Sequence, residues 1–236
     1  MNTVKVKDME VFQTKKPCLH QFRQQQNKIL LQPMFEDTYK TIREPSQGVY
    51  KEKGSKFLAF AYPVTTESEV KSLLDSLHKQ YYDARHHCYA YILGPDKAAY
   101  RINDDGEPSS TAGRPIYGQL LSNDLTNILV VVVRYFGGVK LGVPGLINAY
   151  KTATKDALDN AIIVEKQITE VYNLHFDYSA MNSVMKILKD NNLPQCNQNF
   201  ELECSLDFSV RQAESTRVCD EFIKLKNVKL TLLRVE

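Results

Sequence analysis

Two short clusters near the middle of the 236-residue chain carry most of the side chains from which chemistry is made. One is D-D-G-E-P-S-S-T-A-G-R-P (Asp104–Pro115), with Asp104, Asp105 and Glu107 close together beside Gly106 and Pro108. Such carboxylates could bind Mg²⁺ or act as acid and base. The same composition is ordinary turn chemistry, and Asp105 or Glu107 can instead pair with Arg114, Arg134 or Lys140. Ordering of the loop, or recognition, is the preferred reading over a metal site.

The other cluster, R-Y-F-G-G-V-K-L-G-V-P-G (Arg134–Gly145), follows the apolar run Ile128–Val133. That run reads as a buried central strand. A strand, a Gly-rich turn and a helix start can present backbone N–H groups and positive charge to an anion. Arg134 and Lys140 would be the charges, and Gly137 and Gly138 part of the cradle. The glycines serve equally well as left-handed residues of a tight connection. The spacing is neither G-x-x-x-x-G-K-[ST] nor G-x-G-x-x-G, so a nucleoside triphosphate or a dinucleotide cofactor has no support. Pro144 removes one N–H.

His86-His87-Cys88 resembles a metal box only at first sight. Adjacent strand residues face opposite ways, and the two that share a face, His86 and Cys88, are too few for zinc. A nucleophile–base pair of Cys88 and His86 lacks an oriented third member. A hydrolase-type site of His86, Asp105 and Glu107 is the competing enzymatic reading. No cofactor and no metal are expected.

The elements around these clusters read as α+β. A hairpin, 47–53 and 56–64, carries the basic tip K-E-K-G-S-K. Thr66 and Glu69 form a capping box for a helix with Val70, Leu73, Leu74 and Leu77 on one face. Strands at 88–93 and 98–102 follow, then a helix from Thr111 to about Leu121, the buried strand, and a long helix from Gly145 to about Asn160. A second unit reads β-α-β-β-α-β, with helices after Ser179 and from about Arg211, a short strand at 195–198 and a longer one at 199–208. Lys53 and Lys56, with Lys51, Arg85 and the tyrosines Tyr81, Tyr82, Tyr89, Tyr91, Tyr100, Tyr117, Tyr135 and Tyr150, offer phosphate and stacking contacts to single-stranded RNA. Many of the tyrosines can equally belong to the core.

Composition narrows the class. The net charge of +2 is too mild to argue for nucleic acid by itself, and the five cysteines are scattered without a C-x-x-C pair. Reduced thiols in a cytoplasmic protein are expected. No apolar run approaches the roughly 18–20 residues a membrane helix needs. Residues 1–36 are polar and glutamine-rich, and read as a disordered or non-native extension, with Met34 as an alternative start.

Four motifs, E-K-G-S-K-F (Glu52–Phe57), D-A-R-H-H-C-Y-A-Y (Asp83–Tyr91), D-D-G-E-P-S-S-T-A-G-R-P-I (Asp104–Ile116) and V-V-R-Y-F-G-G-V-K-L-G (Val132–Gly142), resemble in order the signature of the YigZ/IMPACT family. The resemblance runs from Asp37 to the C-terminus and is to the bacterial two-domain members. It implies a first domain, 37–166, like domain IV of elongation factor G and its ribosomal-protein relatives, and a ferredoxin-like second domain, 167–236. The eukaryotic members regulate translation through a protein partner, but their ubiquitin-conjugating-like domain has no counterpart here, so that pathway is not carried over. Pro144 stands where the family often has glycine and Asn148 where it often has arginine, which weakens a phosphate-specific cradle. The expectation is a non-enzymatic RNA- or ribosome-binding protein linked to regulation of translation, with Lys53, Lys56, Arg114, Arg134, Lys140, Gly137 and Gly138 facing the partner. A protein of the translation machinery is a further partner class, and a protein–protein adaptor a further alternative. An RNA binder would present an open sheet face bearing tyrosine and lysine; a hydrolase would present a concave pocket.

Overall fold

The computed structural model describes residues 37–201 and 203–236; the extension expected at 1–36 lies outside the described residues. The first part of the described chain runs β1 (Thr38–Ile42), β2 (Ser46–Glu52), β3 (Ser55–Pro63), α1 (Glu67–Gln80), β4 (His86–Leu93), β5 (Ala99–Asn103), α2 (Gly113–Ser122), β6 (Ile128–Tyr135), α3 (Gly142–Asp159) and β7 (Ile163–Gln167). Five of these strands form an antiparallel sheet in the order β2-β3-β6-β4-β5.

β6 lies at the centre, and Ile128–Val133 are fully buried. A strand whose every side chain is apolar needs cover on both faces. Here α2 and α3 close one face over Phe57, Cys88, Ile92, Val130 and Val132, with Ile116, Ala149, Tyr150 and Ala153 packed against them. On the other face Val70 and Leu77 of α1 join Phe60, Tyr91, Leu129, Val131 and Val133. The cover on this face is partial: Val49, Lys51, Lys56 and Arg101 stay exposed on it and Leu58, Tyr89 and Tyr135 are half-buried. Tyr91 and Tyr150 are buried in the two cores, whereas Tyr82 and Tyr100 are exposed.

Local chemistry places the joints. Lys53 and Gly54 both adopt positive φ, the backbone pair a tight hairpin turn requires. The Thr66–Glu69 capping box is formed as the spacing predicts. The antiparallel ribbon β1–β7, with Thr38 opposite Gln167 and Ile42 opposite Ile163, has no counterpart in the sequence reading.

The second part comprises β8 (Thr169–Phe176), α4 (Met181–Asp190), β9 (Gln195–Phe200), β10 (Cys204–Arg211), α5 (Gln212–Ile223) and β11 (Val228–Val235). Its antiparallel sheet has the order β11-β8-β10-β9. Both helices cover one face, through Val184, Leu188, Val218 and Phe222 against Leu174, Leu206 and Phe208. The stretch 199–208, read as one strand, is divided: β9 ends at Phe200 and β10 begins at Cys204. Nε and Nη2 along one edge of Arg211 donate to the two oxygens of the Asp37 carboxylate, tying the start of the first part to the second. The architecture is a mixed α/β one of the α+β kind.

Candidate functional site

The two chemistry-bearing clusters meet at a cleft of about 480 Å³. Strand register brings them together, because β6 places Arg134 opposite His86 of β4 on one side and Phe57 of β3 on the other. Arg134 is only 6 % exposed. It donates from Nη1 to Glu107 Oε1, and its guanidinium lies 5.4 Å from the centre of the Phe57 ring and 5.6 Å from that of Phe136. Tyr150 donates its hydroxyl proton to the same Glu107 oxygen at 2.8 Å, and the Cys88 thiol donates to the Tyr150 oxygen at 3.3 Å. A buried ion pair needs this kind of surrounding support, since two desolvated charges repay their cost only when further hydrogen bonds satisfy them. Burial pushes both the Cys88 thiol and the Tyr150 hydroxyl upward, so both remain protonated donors. Cys88 is thus a structural thiol rather than a nucleophile.

The other two carboxylates of the loop hold backbone. Asp104 accepts from Ser110 N (2.8 Å), Ala112 N (3.0 Å) and Gly113 N (2.9 Å). It thereby does for α2 what a capping side chain would do, while Ala112 at the cap position cannot. This explains why the helix begins at Gly113 rather than at Thr111. Asp105, at φ 40°, accepts the His87 N–H at 2.6 Å, and its carbonyl oxygen sits 2.8 Å from His86 Nδ1. A carbonyl only accepts, so Nδ1 carries a proton and Nε2 is the nitrogen left for other contacts.

Of the three residues of the hydrolase reading, His86 and Glu107 line the cleft and Asp105 does not. His87 lies on the opposite face, its ring 4.0 Å from that of His78, centre to centre. Burial, then His78, lowers the His87 pKa, against the pull of Asp105 and the Leu77 carbonyl. Among the described residues, no group of three or more His, Cys, Asp and Glu is placed to hold a metal ion.

Lys140 lines the cleft, while Arg114, exposed in the first turn of α2, is not among its lining residues. Lys53 and Lys56 are exposed at the β2–β3 tip. That tip packs on the Gly-rich turn: Gly137 N donates to Ser55 Oγ at 3.1 Å, and a Cβ on Gly137 would stand 1.9 Å from the Gly54 carbonyl carbon. Gly138, at φ 85°, supplies the left-handed step of the turn. The apolar wall of the cleft, Pro108, Leu141, Val143 and Leu146, was not singled out from sequence. Its only signal there is apolar residues crowded into the first turn of a helix that follows a glycine turn.

These features define an α+β protein built around a buried arginine–glutamate pair beside a basic, apolar-walled cleft. Residues 53–158 match the Impact N-terminal domain. The chain is 29 % identical over 192 residues to the IMPACT family member YvyE of Bacillus subtilis, covering 81 % of this chain and 88 % of that one. To the IMPACT family member YigZ of Escherichia coli it is 28 % identical over 186 residues, covering 78 % and 91 %. A crystal structure described as that of a hypothetical protein superposes with a TM-score of 0.66 at 26 % identity, covering 84 % of this chain and 98 % of that chain. The chain is similar to the IMPACT family members along most of its length and carries the match to the Impact N-terminal domain in its first part. Among the described residues, no helix is long and apolar enough to cross a membrane.

Proposed function

We propose that this protein is a non-enzymatic binding protein of the cytoplasm that contacts RNA or the ribosome and modulates translation. The observation that carries the reading is the seating of the hairpin tip on the Gly137 turn. It sets the tip, with exposed Lys53, against the turn that leads to Lys140, while Lys56 alternates with Phe57 and so lies on the other face of the sheet beside exposed Lys51. A local concentration of lysine and arginine suits a phosphate backbone even where net charge is mild. The link to translation rests on the family resemblance. In this reading the first part is built like domain IV of elongation factor G, and the β11-β8-β10-β9 sheet with its two helices is ferredoxin-like.

The engagement of the acids speaks against the hydrolase alternative. Glu107 is committed to Arg134 and Tyr150, and Asp105 to the backbone of β4. Ultraviolet crosslinking in cells, followed by purification of the tagged full chain, tests the reading. RNA crosslinked to peptides containing Lys53, Lys56 or Lys140 is the expected recovery. Recovery of the protein free of RNA and ribosomal proteins would contradict it.

A further inference from the structure

We infer that the cleft beside Arg134 is a nucleotide site that takes a phosphate together with the flat base carried on the same unit. The inference rests on the RNA-binding reading and names what that surface grips. Arg85, Arg134 and Lys140 line the cleft against a single carboxylate, Glu107. The Arg134 side chain is more than nine-tenths buried, yet its Nε finds no hydrogen-bond partner among the described residues. That Nε is enclosed, so an anion entering the cleft would meet the Arg134 charge, only half neutralised by the Glu107 oxygen it shares with Tyr150, rather than bond this N–H.

The second component is the first turn of α3. Gly142 and Val143 line the cleft, and among the described residues no side chain caps this helix end. Uncapped N–H groups at a helix start favour an anion, and Pro144 removes only one of them. His86 also lines the cleft, its Nδ1 held by the Asp105 carbonyl.

The third component selects what carries the anion. Pro108, Leu141, Val143 and Leu146 form an apolar wall, and Phe136, half exposed, presents an aromatic ring already bearing the Arg134 cation at 5.6 Å. A free inorganic anion has no use for such walls, whereas a nucleobase stacks on an aromatic ring. The volume of about 480 Å³ suits a ligand of mononucleotide size. A free nucleotide and the phosphorylated end of an RNA strand share this chemistry.

The test measures binding of a fluorescent, terminally phosphorylated short oligoribonucleotide to the full chain, with the unphosphorylated oligonucleotide and adenosine monophosphate as competitors. The phosphorylated strand is expected to bind saturably, and Phe136→Ala and Lys140→Ala are each expected to weaken it by about tenfold. Both positions are exposed, so the melting temperature of each variant checks that the fold is kept. Full competition by adenosine monophosphate assigns the site to free nucleotides; competition by neither competitor assigns it to phosphorylated RNA ends. Equal competition by the unphosphorylated strand, or unchanged affinity in both variants, overturns the proposal. Ribosome co-sedimentation without nucleotide binding in the cleft overturns it alone; loss of co-sedimentation in the parent overturns the underlying reading.

Discussion

At the scale of single residues, the account turns on Arg134. Its charge is buried among Phe57, Phe136 and the Glu107 carboxylate, so removing the carboxylate leaves an uncompensated cation. Glu107→Gln is expected to cost about 3–5 kcal/mol in urea unfolding, the usual penalty for orphaning one partner of a buried pair. Tyr150→Phe removes one neutral donor to a charged acceptor and should cost about 1.5–3 kcal/mol. Equal losses from the two variants would mean that the pair is not the anchor. Asp104→Ala should cost about 2 kcal/mol by the same measurement, since it strips the acceptor from three backbone N–H groups at the start of α2. The types of these residues were legible in the sequence, but their partners were not. Glu107 had Arg114, Arg134 and Lys140 within plausible reach, and only the β4–β6 register places Arg134 beneath the loop. Asp104 could be read as a metal ligand or a turn residue because nothing local shows that it will reach forward to Gly113 N.

At the scale of elements, the packing of α1 on the sheet is expected to be pH-sensitive. His87 is buried against His78, and its folded pKa lies below the unfolded value. The neutral ring is therefore the native form. Its stabilising contribution is complete above the unfolded pKa of about 6.5 and is lost as pH falls through that value toward the lower folded one. Melting temperature should fall between about pH 7.5 and 5.5, and His87→Leu should flatten that fall. An unchanged slope in the variant would place the sensitive group elsewhere.

The hairpin–turn joint makes a second prediction. Gly137→Ala cannot keep the contact with Gly54, so it should shift the β2–β3 tip and weaken RNA contact even where the fold survives. Retained affinity would show that the tip acts independently of the turn. Much of this level was readable: alternation and the K-G pair announced the hairpin, and Thr66 with Glu69 announced α1. The β1–β7 ribbon was not, because β7 is mostly exposed and shows no buried face from which to read a period. Its partner lies far away in the chain, where no local signal reaches.

At the scale of the whole molecule, the fold seats the hairpin tip on the Gly-rich turn that leads to the cleft, and it leaves Lys51, Lys56 and Arg101 exposed on the partly covered α1 face of the first sheet. RNA contact is thus expected at the hairpin tip and the exposed edge of the α1 face as well as at the cleft. The composition could not reveal this, because a net charge of +2 says nothing about where the lysines gather. The central claim is tested most directly by co-sedimentation of the full chain with ribosomes across a salt series, comparing the parent with the double variant Lys53→Glu and Lys56→Glu. The parent should pellet at low salt and be released as salt rises. The folded variant should pellet weakly, with a log–log salt slope shallower by roughly 1–2 because fewer phosphates are contacted. Equal pelleting of parent and variant at every salt concentration, or no pelleting of the parent at low salt, would contradict the account.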